Sequence, residues 1–461
     1  MNCDRCENEA TIHITEIRRG LSYDRHLCEK CAEMLLPFEG TDDAKYLAFL
    51  PPKHSIASTD EEPEPTPEEL KMTRIDRQVL VVDLRTGAFE PVGLHRGNSS
   101  LAVWSPDSKF LAMCHSTERY QSLVLVQPGK TWLRRFLHTT FDEPAGWSRD
   151  SRTVAFSHPE EEGAVVMTAE VATGRTHRLS APPLVSESRP VWSPRDERIA
   201  LASLLVERGD TEASWCSVFT ATLEPEKRRR LVTVRGSLVM DLGWSADARF
   251  VAVLTAPFSR EVEAGYFPEM GDSTLHVVRS DSEDASDTAV SGNYVGFSWV
   301  PRAAGVAERP MLLVNAVAAD GVGASIVLID PETREVHPIA EQAVLPNVEG
   351  RADYLSPDGK TLVARRRADD SRIVLIDLRT RATEEIEGRG EVIGLSWPPA
   401  RDEFAALTRS DAGASLEWLT PEGARREVVS FSRARFFDVP SMALSPDGNF
   451  AALEAHTARK D

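Results

Sequence analysis

Leu355-Ser356-Pro357-Asp358-Gly359-Lys360-Thr361-Leu362-Val363-Ala364 is the stretch that decides how this chain folds. Proline sets φ for the first corner of a tight turn, aspartate accepts from local backbone donors, and glycine takes a positive φ without steric cost. The first half therefore reads as a turn and the second as an apolar strand. A second hairpin follows at Ile373-Val374-Leu375-Ile376-Asp377-Leu378-Arg379-Thr380. The pattern recurs along the chain, at Trp104-Ser105-Pro106-Asp107, Trp147-Ser148-Arg149-Asp150, Trp192-Ser193-Pro194-Arg195, Trp244-Ser245-Ala246-Asp247 and Leu444-Ser445-Pro446-Asp447. Decayed copies stand at Trp299-Val300-Pro301 and Trp397-Pro398-Pro399. Successive copies lie 43, 45, 52, 55, 56, 42 and 47 residues apart. That spacing is enough for four short strands per repeat. The tryptophan or leucine ahead of each turn is expected to pack between neighbouring units.

The two ends of the array complement each other. Val79-Leu80-Val81-Val82-Asp83-Leu84-Arg85-Thr86-Gly87 reads as the outer half of a repeat with no inner half before it. Ala443-Leu444-Ser445-Pro446-Asp447-Gly448-Asn449-Phe450-Ala451-Ala452-Leu453 is an inner half with no outer half after it. Joining them completes one unit and removes an unpaired sheet edge. The expected fold is mainly β: an eight-bladed β-propeller with a split closing blade, or a seven-bladed one if the repeat at Trp299 is absorbed by its neighbours. These repeats resemble the TolB-like and WD-repeat-like β-propellers over residues 75–461. That family includes scaffolds and the gating domains of prolyl-oligopeptidase-type peptidases, so the fold does not name a chemistry. A peptidase would need a G-x-S-x-G nucleophile elbow, and the sequence contains none.

Ahead of the repeats, Cys3-x2-Cys6 and Cys28-x2-Cys31 stand as two knuckles of metal-ligand spacing. Four thiolates facing one point would complete the tetrahedron that zinc prefers and leave no open coordination position, so one structural Zn2+ on Cys3, Cys6, Cys28 and Cys31 is expected. His13 and His26 read as hairpin or surface histidines rather than ligands. Between the knuckles, Ala10-Thr11-Ile12-His13-Ile14-Thr15-Glu16-Ile17 alternates apolar and polar residues, and Arg19-Gly20-Leu21-Ser22 turns it back as a hairpin. So short a piece cannot bury enough surface to fold alone, and metal binding would supply the difference. The strand together with His26-Leu27-Cys28-Glu29-Lys30-Cys31-Ala32-Glu33 resembles the start of McsA, the zinc-carrying activator of a bacterial protein arginine kinase. The resemblance implies the zinc-ligand role at the four cysteines. McsA's second set of CxxC motifs and its C-terminal helical hairpin are not found in this sequence.

The organisation expected is a zinc module over residues 1–36, an acidic Pro-rich linker over 37–74 and the propeller over 75–461. Within the linker, Thr59-Asp60-Glu61-Glu62-Pro63-Glu64-Pro65-Thr66-Pro67-Glu68-Glu69 has little to bury, and its like charges repel. Lys and Arg total 53 against 72 Asp and Glu, a net charge of −19. That balance argues against a general nucleic-acid or anionic-membrane binder, either of which needs a cationic surface field. No run approaches the ~20 apolar residues of a membrane span. A cytoplasmic location is expected, since the N-terminus lacks the pattern of a secretory signal.

Candidate interaction residues fall in the long segment from Thr255 to Ser273, where Arg260, Tyr266, Phe267 and Met270 mix cationic, aromatic and thioether groups. They either grip a partner or pack on themselves. Lys227-Arg228-Arg229-Arg230 reads as a solvated hairpin tip, and Cys114 and Cys216 as buried core thiols. His95, His115, His138, His158, His177 and His276 are scattered over different repeats with no metal or catalytic spacing. The expected function is a non-enzymatic adaptor or scaffold for protein partners, with a kinase or Clp-type protease component of a stress pathway implied by the McsA resemblance. A different reading is an enzyme, lyase or hydrolase, or a small-ligand receptor using the propeller channel; it requires a polar pocket of paired acidic or histidine groups. A zinc-ribbon nucleic-acid binder needs a basic face, and the first 36 residues hold about as many acids as bases.

Overall fold

In the computed structural model of the chain, each Ser-x-Asp turn closes through one hydroxyl. The Ser105 Oγ donates to Asp107 Oδ1 at 2.7 Å and accepts the Phe110 amide at 2.9 Å. The same pair of bonds recurs at Ser148 with Asp150 and Thr153, at Ser245 with Asp247 and Phe250, at Ser356 with Asp358 and Thr361, and at Ser445 with Asp447 and Phe450. The expected glycine role holds at Gly359 (φ 71°) and Gly448 (φ 65°), but Ser108 (62°), Ser151 (60°) and Ala248 (58°) take the same left-handed conformation with a side chain. The two serines are used: Ser151 Oγ accepts the Asp107 amide at 3.0 Å and Ser108 Oγ accepts the Asp447 amide at 3.1 Å, tying turn to turn around the ring.

These turns carry a pH dependence. At Asp358 the Lys360 side chain, opposed by partial burial and helped by the Ser356 hydroxyl, draws the carboxyl from 3.8 down to about 2. At Asp107, Asp150 and Asp447 burial pushes upward, but the serine hydroxyl and a backbone amide outweigh it and the carboxyl again titrates low. A carboxylate whose pKa is lower folded than unfolded stabilises the fold fully above its unfolded value and loses that contribution as pH falls toward its folded value. The melting temperature should therefore hold from neutral pH to about 5 and drop between about 4 and 2. Asp358→Asn should flatten part of that drop in circular-dichroism melts, and a wild-type melting point unchanged down to pH 3 would contradict the assignment.

The structure describes Cys3, Asp4, Asn8, Ala10, 12–18 and 21–28, then 75–458 except 93–97, 117–120, 131–132, 138–144, 161–162, 180–185, 208–209, 224–227, 258–272, 282–286, 302–304, 318–323, 346–353, 412 and 433–441. The propeller has eight blades. Blade 1 spans 98–137, blade 2 146–178, blade 3 186–235, blade 4 237–292, blade 5 294–341, blade 6 343–387 and blade 7 391–432. Each has four antiparallel strands running outward in chain order, with one addition to blade 1 described below. Blade 8 is assembled from both ends: Met442–Leu444 and Phe450–Ala458 form its inner half, and Ile75–Asp83 and Phe89–Val92 its outer half. The seam runs from Ile75 opposite Ala458 to Asp83 opposite Phe450. The weak repeat at Trp299 forms a blade of its own, which settles eight over seven.

Apolar residues of alternate strand faces fill the gaps between blades. Met311, Leu313, Ile326, Leu328, Leu362, Val374, Trp397 and Phe404 belong to one such layer joining blades 5, 6 and 7. The tryptophans that end the inner strands do more than pack. Trp104 Nε1 donates to the Ala443 carbonyl, Trp147 to Val103, Trp244 to Val191 and Trp299 to Gly243, at 3.0, 3.1, 2.9 and 3.1 Å. Each acceptor is the residue just before the corresponding tryptophan or leucine of the preceding blade. Trp192 breaks the rule: its indole N–H has no partner among the described residues. Its strand bulges between Ser188 and Val191, with Arg189 at φ 52°.

The N-terminal hairpin forms as expected, Ile12–Arg18 pairing antiparallel with Leu21–Leu27. Its first strand also pairs in parallel with Leu133–Leu137, the outer strand of blade 1, which becomes a six-stranded sheet. The linker segment 37–74 lies outside the described residues.

Candidate functional site

Blade 3 outgrows its neighbour. Its third strand, Asp210–Ala221, has 12 residues, whereas the outer strand of blade 2, Thr176–Arg178, has 3. Ile199, Leu201, Phe219 and Ala221 of blade 3 pack against Ala155, Val166 and Leu179 of blade 2. Side chains two residues apart on a strand share a face, so Leu205 and Trp215 continue that same face past the point where blade 2 ends. They are 37% and 39% exposed, among the few large apolar side chains so placed. Leu205 stands opposite Trp215, and Trp215 opposite Arg235. The Arg235 guanidinium lies over the indole at 5.5 Å. Beneath this row, Ser217 and Thr233 share a hydroxyl–hydroxyl bond of 2.8 Å. The result is an open cleft of about 690 Å³ lined by Leu205, Trp215, Ser217 and 230–233.

A bulge shapes the cationic end of the cleft. Val218 faces Val232, but Phe219 faces Arg230, so the outer strand carries one extra residue there. An extra residue reverses the alternation of everything beyond it. Arg230 thereby shares a face with Thr233 and Arg235, although 230 and 235 differ in parity. Arg230 is exposed and has no ion pair among the described residues.

The remainder of the basic run corrects the expectation of a solvated hairpin tip. Arg228 ion-pairs with Glu187, which is only 2% exposed, and stacks over Phe219 at 4.9 Å. Arg229 donates to the Ser280 carbonyl of blade 4 at 3.0 Å. Lys227 lies outside the described residues, as do Arg260, Tyr266, Phe267 and Met270 of the long segment. Only part of the cleft is legible in the sequence: Trp215 stands in it, but no local pattern marks the blade beside it as short.

The expected zinc is corrected. Among the described residues no group of three or more His, Cys, Asp or Glu side chains is placed to hold a metal ion. Cys3 and Cys28 are buried as thiols. Cys6 and Cys31 lie outside the described residues, and two thiols alone leave a tetrahedral ion half coordinated. Hydrogen bonds tie the hairpin base instead. The Cys3 amide donates to the Asn8 carbonyl at 2.8 Å, Asn8 Nδ2 to Cys28 Sγ at 3.9 Å, the Asp4 amide to the His26 carbonyl at 2.7 Å, and the His26 amide to Asp4 Oδ2 at 2.6 Å.

Cys114 and Cys216 are buried in their strands, as their apolar settings led one to expect. Burial pushes the Cys216 thiol up to about 11, which keeps it protonated and unreactive near neutral pH. His115, His158 and His276 are buried on blades 1, 2 and 4, and His177 is exposed on the outer strand of blade 2. His95 and His138 lie outside the described residues. Among the described residues no helix is long and apolar enough to cross a membrane.

No family model matches the chain, and no curated protein matches it. Among solved structures, dipeptidyl peptidase 4 of Porphyromonas gingivalis is similar at TM-score 0.50 and 10% identity, over 74% of this chain and 53% of that one. A puromycin hydrolase is similar at 0.49 and 12%, over 78% of this chain and 58% of that one. TolB of Acinetobacter baumannii is similar at 0.35 and 13%, over 68% and 64%. The chain thus spans less than two thirds of each of these proteins, and the likeness is one of fold.

Proposed function

We propose that this propeller is a non-enzymatic interaction scaffold, and that the rim of blade 3 is a surface on which it takes a protein partner. The observation that carries the reading is the row Leu205, Trp215 and Arg235. A tryptophan and a leucine stand exposed side by side, beyond the described outer strand of the neighbouring blade, with an arginine stacked on the ring. Tryptophan and arginine are the residue types that most often dominate binding at protein interfaces. The resemblance of residues 1–36 to McsA supports a protein arginine kinase or a Clp-type protease component as a second partner, taken by the hairpin on blade 1.

Affinity capture from native lysate tests this with three baits: the full chain, the Trp215→Ala variant and a chain lacking residues 1–36. Trp215 is a surface residue, so the variant should keep the wild-type melting curve. It should lose at least one protein that the full chain retains, and the shortened chain should lose a kinase or protease component. Identical captures by the full chain and Trp215→Ala would refute the rim as the binding surface.

A further inference from the structure

We infer that the blade 3 cleft takes an extended acidic peptide, added as a fifth strand along Arg229–Arg235, in which two carboxylates four residues apart flank an apolar side chain. The inference rests on the scaffold reading and names the chemistry of the partner.

Three observations converge on it. Arg229–Arg235 is the last strand of its sheet among the described residues. A terminal strand offers a row of backbone donors and acceptors to any extended chain laid beside it. The scaffold already accepts such an addition at the corresponding place on blade 1, where Ile12–Arg18 pairs in parallel with the outer strand. The second observation is charge. On a chain of net charge −19, Arg230 lines the cleft without an ion pair among the described residues, and Arg235 stands at its border over Trp215. Acidic side chains are the complement of this arginine pair.

The third is register. The bulge at Val218 and Phe219 turns both arginines to the cleft face, opposite Phe219 and Trp215 on the regular strand. Those positions are four residues apart, so a regular added strand meets the arginines with residues i and i+4. Residue i+2 falls on the same face, beside Thr233, where a large apolar group can lean across Thr233 toward Trp215. A partner with its acids three residues apart would turn one of them to the opposite face.

The test is fluorescence anisotropy of the full chain with labelled nine-residue peptides. The reference peptide carries glutamates at positions 3 and 7 and phenylalanine at 5, with threonine elsewhere. It should bind, and binding should weaken as salt is raised. Moving one glutamate by a single position should weaken binding at least tenfold, as should N-methylation of alternate backbone amides or exchange of glutamate for lysine. Arg230→Glu and Trp215→Ala should each weaken it at least tenfold while leaving the melting curve in place. Equal affinity for the reference and shifted peptides, or for the lysine peptide, would overturn the inference, and so would a failure of the reference peptide to bind. If it fails while Trp215→Ala still loses a captured protein, the acidic-strand chemistry falls and the scaffold reading stands.

Discussion

Deleting residues 75–92 should abolish the cooperative unfolding of the whole ring. These residues supply both outer strands of blade 8, and the first pairs along its full length with Phe450–Ala458. Val79, Leu80, Val81, Val82 and Leu84 are buried on both faces of that sheet, Val79 and Val81 against blade 1 and Leu80, Val82 and Leu84 against blade 7. Removing them opens an edge and empties two inter-blade layers at once. Urea or thermal melts followed by circular dichroism should change from one sharp transition to a broad, early loss of signal. A single substitution makes the same point without truncation: Val82→Asp places an unpaired carboxyl in the layer against blade 7 and should cost about 3–5 kcal/mol. An unchanged melting curve for the deletion would show that the ring does not depend on its split blade.

The second large effect separates two tryptophans that look alike in sequence. Trp147→Phe removes the indole donor that holds the Val103 carbonyl of the preceding blade, while keeping a ring to stack on Phe110. Trp192→Phe removes an indole N–H that has no partner among the described residues. Both variants lose similar apolar area, so that contribution largely cancels in the comparison. The hydrogen bond does not cancel, and stranding its acceptor costs about 1–3 kcal/mol. Trp147→Phe should therefore lower the urea midpoint more than Trp192→Phe, by that margin at constant m-value. Equal losses, or a larger loss at Trp192, would mean that the indole bonds between blades contribute nothing beyond packing.

That a tryptophan precedes each turn is visible in the primary structure, and its place between blades follows from periodicity. Which of these tryptophans finds an acceptor is not visible there: the strands that carry Trp104, Trp244 and Trp299 bulge as the Trp192 strand does, yet their indoles are bonded and that of Trp192 has no partner among the described residues. The arginine run near 228 teaches the same lesson in charge: it reads as a solvated tip, yet Arg228 and Arg229 reach Glu187 of their own blade and Ser280 of the next. Two cysteine pairs at metal-ligand spacing predict a zinc tetrahedron, but among the described residues no group of three or more donors is placed to hold a metal ion.

The sequence by itself determined the repeat, its turns and the closure of the ring. Each Ser-x-Asp turn is built from residues within six positions of one another, and the half-repeats at the two ends are complementary before any contact is known. Only the tertiary structure decided where a surface was left open. The blade 3 cleft exists because a long blade stands beside a short one, and its two arginines share a face because one extra residue reverses a strand's alternation. Likewise the hairpin on blade 1 joins strands more than a hundred residues apart. Local turn chemistry is written in adjacent residues, whereas edges and exposed faces are set by what the neighbouring blade fails to cover.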